Sequence, residues 1–284
     1  MKTILSYFSI LILSLLFSVT GFAQQSKSEK AGWLLGVQSY TFHKFTYQEA
    51  IDKVAQMGLH YVEVYYGQTL GKDIEGTMDF RMDKATQEKV LAYAKSKGVK
   101  IMASGVVTLE NKAEWKEVFE FAKAMGIEII TCEPDYEHLE YVDQLANQYN
   151  IDVAIHNHPK PSAYWNPELF LNAVDGLSER IGACADVGHW KRMGVDPIEA
   201  LKKYEGRLKS LHIKDIKEKE EGEAEQHDVI WGTGVCDVEG ILSELKRQNF
   251  TGLFSIEYEH NWENSVPDIQ QCIQYFNKQV EVLF

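Results

Sequence analysis

Four stretches decide the fold: DVAIHNHP (152–159), ACADVGHW (183–190), LKSLHIKD (208–215) and GLFSIEYEH (252–260). In each, polar residues share one parity and apolar residues the other. Ser210, His212 and Lys214 oppose Leu211 and Ile213; Ser255, Glu257 and Glu259 oppose Phe254, Ile256 and Tyr258; His156 and His158 oppose Val153 and Ile155. A strand alternates faces with period two, so each polar set points to one side of a sheet. His156, Asp186, His212 and Glu257 then stand at the ends of four successive strands. Two imidazoles and two carboxylates are a mixed nitrogen/oxygen donor set suited to one divalent metal, with zinc, manganese, cobalt and iron all admissible.

Outward from these stretches the chain alternates strand and helix. GVQSYTF, YVEVYYG, VKIMASGVV and EIITCEPD come before the four segments above. Helical spacing is expected over 47–57, 85–97, 112–125, 138–149, 167–181, 197–204, 238–248 and 267–282. Trp115 and Phe121 fall on the apolar face of one such helix and read as core. Gly58, Gly98, Gly126 and Gly182 stand where left-handed C-caps belong, and Asp196 before Pro197 is an N-cap with proline in the first turn. Eight units over about 250 residues predict a single (β/α)₈ TIM barrel over 34–284. A doubly wound sheet is the alternative, but no glycine-rich dinucleotide fingerprint is present. In a barrel all parallel strands end at one mouth, where the four polar sets converge.

The first residues read differently. Lys2, an apolar run over 4–19 and Gly21-Phe22-Ala23 have the form of a secretory signal peptide over 1–23, its core too short for a confident span. A flexible polar segment is expected over 24–33. The protein is thus expected to be exported, periplasmic and free of membrane insertion after cleavage. A net charge of −13 argues against a nucleic-acid surface, which needs a basic patch. The acid-rich run at 217–225 reads as a solvated loop. Of the four cysteines, Cys132 and Cys184 lie in strands and read as buried thiols.

With ADVGHW, SLHIKD, WGTGVCDVEGILSELKRQNFTG and SIEYEH in that order on successive units, nearly the whole chain beyond the leader resembles the xylose isomerase-like TIM barrels, the sugar phosphate isomerase/epimerase superfamily. The resemblance implies a divalent metal held from the fifth to the eighth strand. Asp186, His212 and Glu257 match the family positions. The fifth departs: ketose 3-epimerases of this family carry Glu where this chain has His156, and Glu133 is the nearby carboxylate that would replace it as ligand or base.

Such a metal polarises a sugar carbonyl and stabilises the enediolate formed when a neighbouring proton leaves. Epimerisation needs acid/base groups on two faces; elimination needs one base and help for a leaving group. The missing Glu, a HIKD segment similar to that of inosose dehydratases, and the leader all favour elimination. The expected activity is a 3-keto-glycoside 1,2-lyase acting on a small carbohydrate or glycoside. An exported isomerase or epimerase and a non-catalytic sugar-binding barrel are the alternatives. Glu133 or Lys214 would move the proton, and His158 or His189 would assist the leaving oxygen. Glu63, Tyr40, Tyr65, Tyr136, Trp190, Trp231 and Trp262 stand near strand ends as candidate substrate contacts.

Overall fold

The computed structural model describes residues 25–220, 222–223 and 226–284. The expected leader at 1–23 lies outside them. Ten strands follow in chain order: β1 (Trp33–Gln38), β2 (Tyr61–Val64), β3 (Lys100–Val107), β4 (Ile129–Cys132), β5 (Asp152–His156), β6 (Ile181–Asp186), β7 (Leu208–Ile213), β8 (Asp215–Ile216), β9 (Asp228–Val229) and β10 (Gly252–Ile256). All but β8 and β9 pair in parallel and close into one barrel, ordered β1, β10, β7, β6, β5, β4, β3, β2. The expected (β/α)₈ architecture is present.

Among the described residues ten α-helices accompany them: α1 (Lys27–Lys30), α2 (Tyr47–Gln56), α3 (Lys84–Ser96), α4 (Lys112–Met125), α5 (Leu139–Tyr149), α6 (Pro167–Ala173), α7 (Val187–Arg192), α8 (Pro197–Lys203), α9 (Val238–Arg247) and α10 (Val266–Leu283). Their starts follow local chemistry. Thr46 and Glu49 form a reciprocal capping box at α2, and Asp196 accepts from the Ile198 and Glu199 amides ahead of α8. Gly126 closes α4 in the left-handed conformation, at φ 66°.

The parity reading accounts for the layers. Val153, Ile155, Ala183, Ala185, Leu211, Ile213, Phe254 and Ile256 belong to the apolar core between strands and helices. Inside the barrel, Met102, Ile129, Ala154, Cys184 and Leu253 make a small separate apolar floor. Trp33 anchors the outer layer and donates from Nε1 to the Phe250 carbonyl (2.9 Å), so its one polar atom is satisfied. All four cysteines are free and buried. Among the described residues no helix is long and apolar enough to cross a membrane.

Several local expectations are corrected. Of the segment expected to be flexible over 24–33, the described residues 25–33 are not without structure: α1 opens on a Ser26/Glu29 capping box, Tyr61 donates to Glu29, and Trp33 already belongs to β1. The helix expected over 167–181 ends at Ala173, and Gly176 at φ 78° follows in a turn. The connection after β7 is not simply a loop, because β8 and β9 pair antiparallel at its base. Gly182 is no helix cap; it lies within β6, where a Cβ would be driven into the Arg207 carbonyl oxygen beside it. Gly182→Ala is therefore expected to destabilise the barrel by about 1–3 kcal/mol through overpacking. Urea unfolding should show a lower midpoint with an unchanged slope; an unchanged midpoint would refute the close-approach explanation.

Candidate active site

The barrel interior becomes polar above its apolar floor. The β6–β7 register sets Asp186 beside His212, and the β7–β10 register sets His212 beside Ser255, two residues before Glu257. On β5, His156 sits two residues above the floor residue Ala154. Asn157 then locks β5 to β6: its side chain accepts from the Asp186 amide (2.8 Å) and donates to the Asp186 carbonyl (2.9 Å). Asp186 also caps α7, accepting the His189 amide on Oδ1 at 2.7 Å. Capping thus uses one carboxylate oxygen and leaves Oδ2 turned to the interior.

One donor atom from each of His156, Asp186, His212 and Glu257 lies within 4.8 Å of the others. All four residues are buried. Among the described residues, His156 Nε2, Asp186 Oδ2 and His212 Nδ1 have no hydrogen-bond partner. Short approaches do exist: His212 Nδ1 to Glu257 Oε2 at 3.0 Å and His156 Nε2 to Asp186 Oδ2 at 3.6 Å lack hydrogen-bond geometry, while Asp186 Oδ2 is ion-paired with Lys214 Nζ at 3.1 Å. Buried polar atoms without partners cost about 1–3 kcal/mol each. Two such imidazole nitrogens converging on one point with the Asp186 and Glu257 oxygens are an arrangement a divalent ion would satisfy, and the donor set suits one.

The far nitrogen of each imidazole is occupied. His212 Nε2 donates to Glu63 Oε2 (3.0 Å), and His156 Nδ1 donates to Glu133 Oε1 (3.1 Å). A carboxylate behind a histidine fixes its tautomer and turns the other nitrogen's lone pair to the site. Glu63 is held in turn by the Ser255 hydroxyl at 2.7 Å. These contacts correct two expectations. Glu63 is fully buried behind His212, away from the cavity lining, with its carboxylate taken up by His212 and Ser255. Glu133 is neither ligand nor free base: Oε1 accepts from both histidines and from the His158 amide (2.9 Å), and Oε2 accepts from Ser162 (2.7 Å). Burial opposes its ionised form, but the hydrogen bonds from His156 and His158 prevail and hold it well below the usual carboxylate range.

Lys214 is corrected too. Its Nζ lies 3.1 Å from Asp186 Oδ2, 2.9 Å from Glu257 Oε2 and 2.5 Å from Glu259 Oε2, so three carboxylates surround it. Burial would lower its pKa, yet Asp186, Glu257 and Glu259 outweigh that and raise it well above the ordinary value. These surroundings favour the charged ammonium over the free amine that a base would need. Asp215 instead accepts three amides, from Gly232, Gly234 and Cys236, and ties down the loop after β9.

A cavity of about 620 Å³ lies against this cluster, its lining including Pro159, His189, Arg192, Met193, Glu259 and Trp262. His189 and Glu259 connect it to the buried group: His189 Nε2 is 3.6 Å from Asp186 Oδ2, and Glu259 meets Lys214. Arg192 lies 3.3 Å from His189 Nδ1. Guanidinium only donates, so Nδ1 accepts and Nε2 carries the proton of the neutral ring. Burial holds the His189 pKa well below its ordinary value. His158 is half exposed, with Nδ1 2.6 Å from Glu133 Oε1 and Nε2 left as an acceptor.

The aromatic expectations divide. Tyr40, Tyr65 and Trp262 meet at the mouth, with Tyr40–Tyr65 centroids 5.3 Å apart and Tyr40–Trp262 centroids 5.9 Å apart. Tyr136 is exposed and donates to the Ala163 carbonyl. Trp190 and Trp231 are core residues, packed on Tyr204 and Phe276 respectively, and neither lines the cavity. Sequence reasoning misses the roles of Glu259, Arg192 and Asp228. Asp228 Oδ1 accepts from Arg192 (2.6 Å) and Oδ2 from the Glu259 amide (2.7 Å), tying β9 to α7 and to the end of β10. Only the parity of Glu259 with Glu257 hints at this set.

Glu63→Gln and Glu133→Gln keep the packing but weaken the orienting contact. Each is expected to lower affinity for added Zn²⁺ or Mn²⁺ about 10–100-fold in calorimetric titration. Wild-type affinity in both variants would mean that the carboxylates do not orient ligands.

Residues 51–279 match the xylose isomerase-like TIM barrel family. Inosose dehydratase 2 of Bacillus cereus is 23% identical over 137 residues, 43% of this chain and 45% of that protein. The chain thus spans about half the length of this curated relative. An uncharacterized protein from Parabacteroides distasonis ATCC 8503, of known structure, is 36% identical, with 87% of this chain and 99% of that chain covered and a TM-score of 0.72. A zinc-bound IolI protein is alike in fold, with a TM-score of 0.68 at 18% identity over 88% of this chain and 99% of that one. With the closed parallel barrel and the family match over most of its length, the chain belongs to the xylose isomerase-like TIM barrel family.

Proposed function

We propose that the protein is an exported, metal-dependent lyase that eliminates the C1 substituent from 3-keto-glycosides. The observation that carries this reading is the convergence of donor atoms from His156, Asp186, His212 and Glu257, with the two imidazole nitrogens lacking hydrogen bonds, beside a cavity edged by His189. Bound there, a divalent ion would supply a Lewis acid for the charge that develops at the sugar ketone. The zinc of the IolI neighbour supports such an ion. The inosose dehydratase relatives support elimination, since a dehydratase expels a leaving group. The leader-like segment supports export.

The chain's own groups divide the proton work. In the neutral His158 ring the Nδ1–H bond to Glu133 leaves the lone pair on Nε2, and that nitrogen accepts the proton from C2. The C2–H electron pair becomes the C1=C2 double bond, and the C1–O bond breaks. His189 Nε2–H delivers a proton to the departing oxygen, and Arg192 at Nδ1 keeps that tautomer. The products are an alcohol and an unsaturated keto sugar. Glu133 acts through His158 as a positioning residue. Lys214 offsets the negative charge of Asp186, Glu257 and Glu259 and keeps them in place.

Metal-loaded protein is expected to release the alcohol from a 3-keto-glycoside, to stop after chelation and to recover when metal is restored. His158→Gln is expected to lower kcat by about a hundredfold or more, the scale of general-base loss. Interconversion of free ketoses with solvent deuterium incorporated, and no alcohol released, would replace the lyase with an isomerase or epimerase.

A further inference from the structure

The cavity continues past the groups that handle the reacting ring. At its inner end the His189 side chain is only 12% exposed; at the rim, beside Trp262, Tyr40 is 40% exposed. A volume of about 620 Å³ is in the range that holds drug-sized ligands, and one sugar ring leaves much of it empty.

Trp262 is braced as a platform. His43 meets it edge-on, with centroids 4.1 Å apart and planes at 74°, and Tyr40 does so at 5.9 Å and 84°. Tyr40 and His43 stack on each other at 5.0 Å, and Tyr65 abuts Tyr40. Rings from the segments after β1 and β2 therefore fix one indole, carried after β10, while it still lines the cavity. Opposite polarity comes from Gln226, His227 and Lys219 on the β8–β9 connection. An apolar plate and a polar wall together match a pyranose, which has a C–H face and a rim of hydroxyls.

We infer that Trp262 and the Gln226/His227 wall form a second-ring subsite, which selects 3-keto-glycosides whose C1 substituent is itself a sugar. This inference rests on the lyase reading for its chemistry but not for its binding. Trp262 contacts the departing ring, whereas His158 and His189 serve the reacting one.

The test compares methyl, phenyl and glucosyl 3-keto-glucosides with the metal-loaded wild type, Trp262→Ala and Trp262→Phe. The wild type should favour the glucosyl over the methyl compound in kcat/KM. That preference should fall about tenfold in Trp262→Ala, the equivalent of about 1.4 kcal/mol, and return in Trp262→Phe. Equal loss on both compounds would place Trp262 against the reacting ring and overturn the inference; preference for phenyl over glucosyl would overturn the sugar assignment. Calorimetry with unoxidised disaccharide and monosaccharide separates the two readings. Tighter disaccharide binding that Trp262→Ala abolishes, without turnover of any keto-glycoside, would uphold the subsite and sink the lyase. Equal binding of the two sugars by the wild type would sink the subsite.

Discussion

Two buried imidazoles, each gripped from behind by a carboxylate, set the terms for everything at the mouth of this barrel. Glu63 takes one nitrogen of His212 and Glu133 one nitrogen of His156. With both far nitrogens committed, the near ones carry the lone pairs of the neutral rings, and no described residue meets them with hydrogen-bond geometry. Burying a carboxylate is costly unless it is paired. Here each costly group is made useful by fixing the tautomer of its neighbour. The barrel tolerates the arrangement because its apolar cohesion lies elsewhere, in the layer between strands and helices and in the small floor below.

Charge explains much of the remaining detail. Glu63, Glu133, Asp186, Asp228, Glu257 and Glu259 crowd a region whose permanent cations, among the described residues, are Lys214 and Arg192. Lys214 alone touches three carboxylates. The excess of negative charge is the electrostatic counterpart of the imidazole nitrogens that lack hydrogen bonds: a dication at that point would relieve both. Burial pushes the Asp228 carboxyl up to about 6, although Lys214 and Arg192 pull the other way. The short Arg192 contact makes the pair an ionic tie between β9 and α7 all the same.

The barrel and the four convergent side chains are legible in the sequence because period-two alternation is local: LKSLHIKD displays its own inside and outside. The residues behind the histidines are not. Glu63 lies 149 positions from His212, and no local pattern links them. Glu133 stands out as a carboxylate at a strand end, but its saturation by His156, His158 and Ser162 depends on the β4–β5 register and on the turn after β5. Trp190 misleads for a local reason: α7 begins at Val187, directly at the end of β6, and turns the indole back into the core. Sequence presents the neighbours of Lys214 one at a time, and only the closed barrel shows three anions around it.

Asn157 supplies a mechanical consequence. Its amide meets the main chain of Asp186 through both a donor and an acceptor, like a dowel set across two adjoining staves. Sliding one stave against the other would break both links together, so the joint resists shear at the height where the carboxylate emerges. Rigidity is thereby concentrated at the rim of the barrel, the part of such a fold that its connecting segments would otherwise leave most pliable.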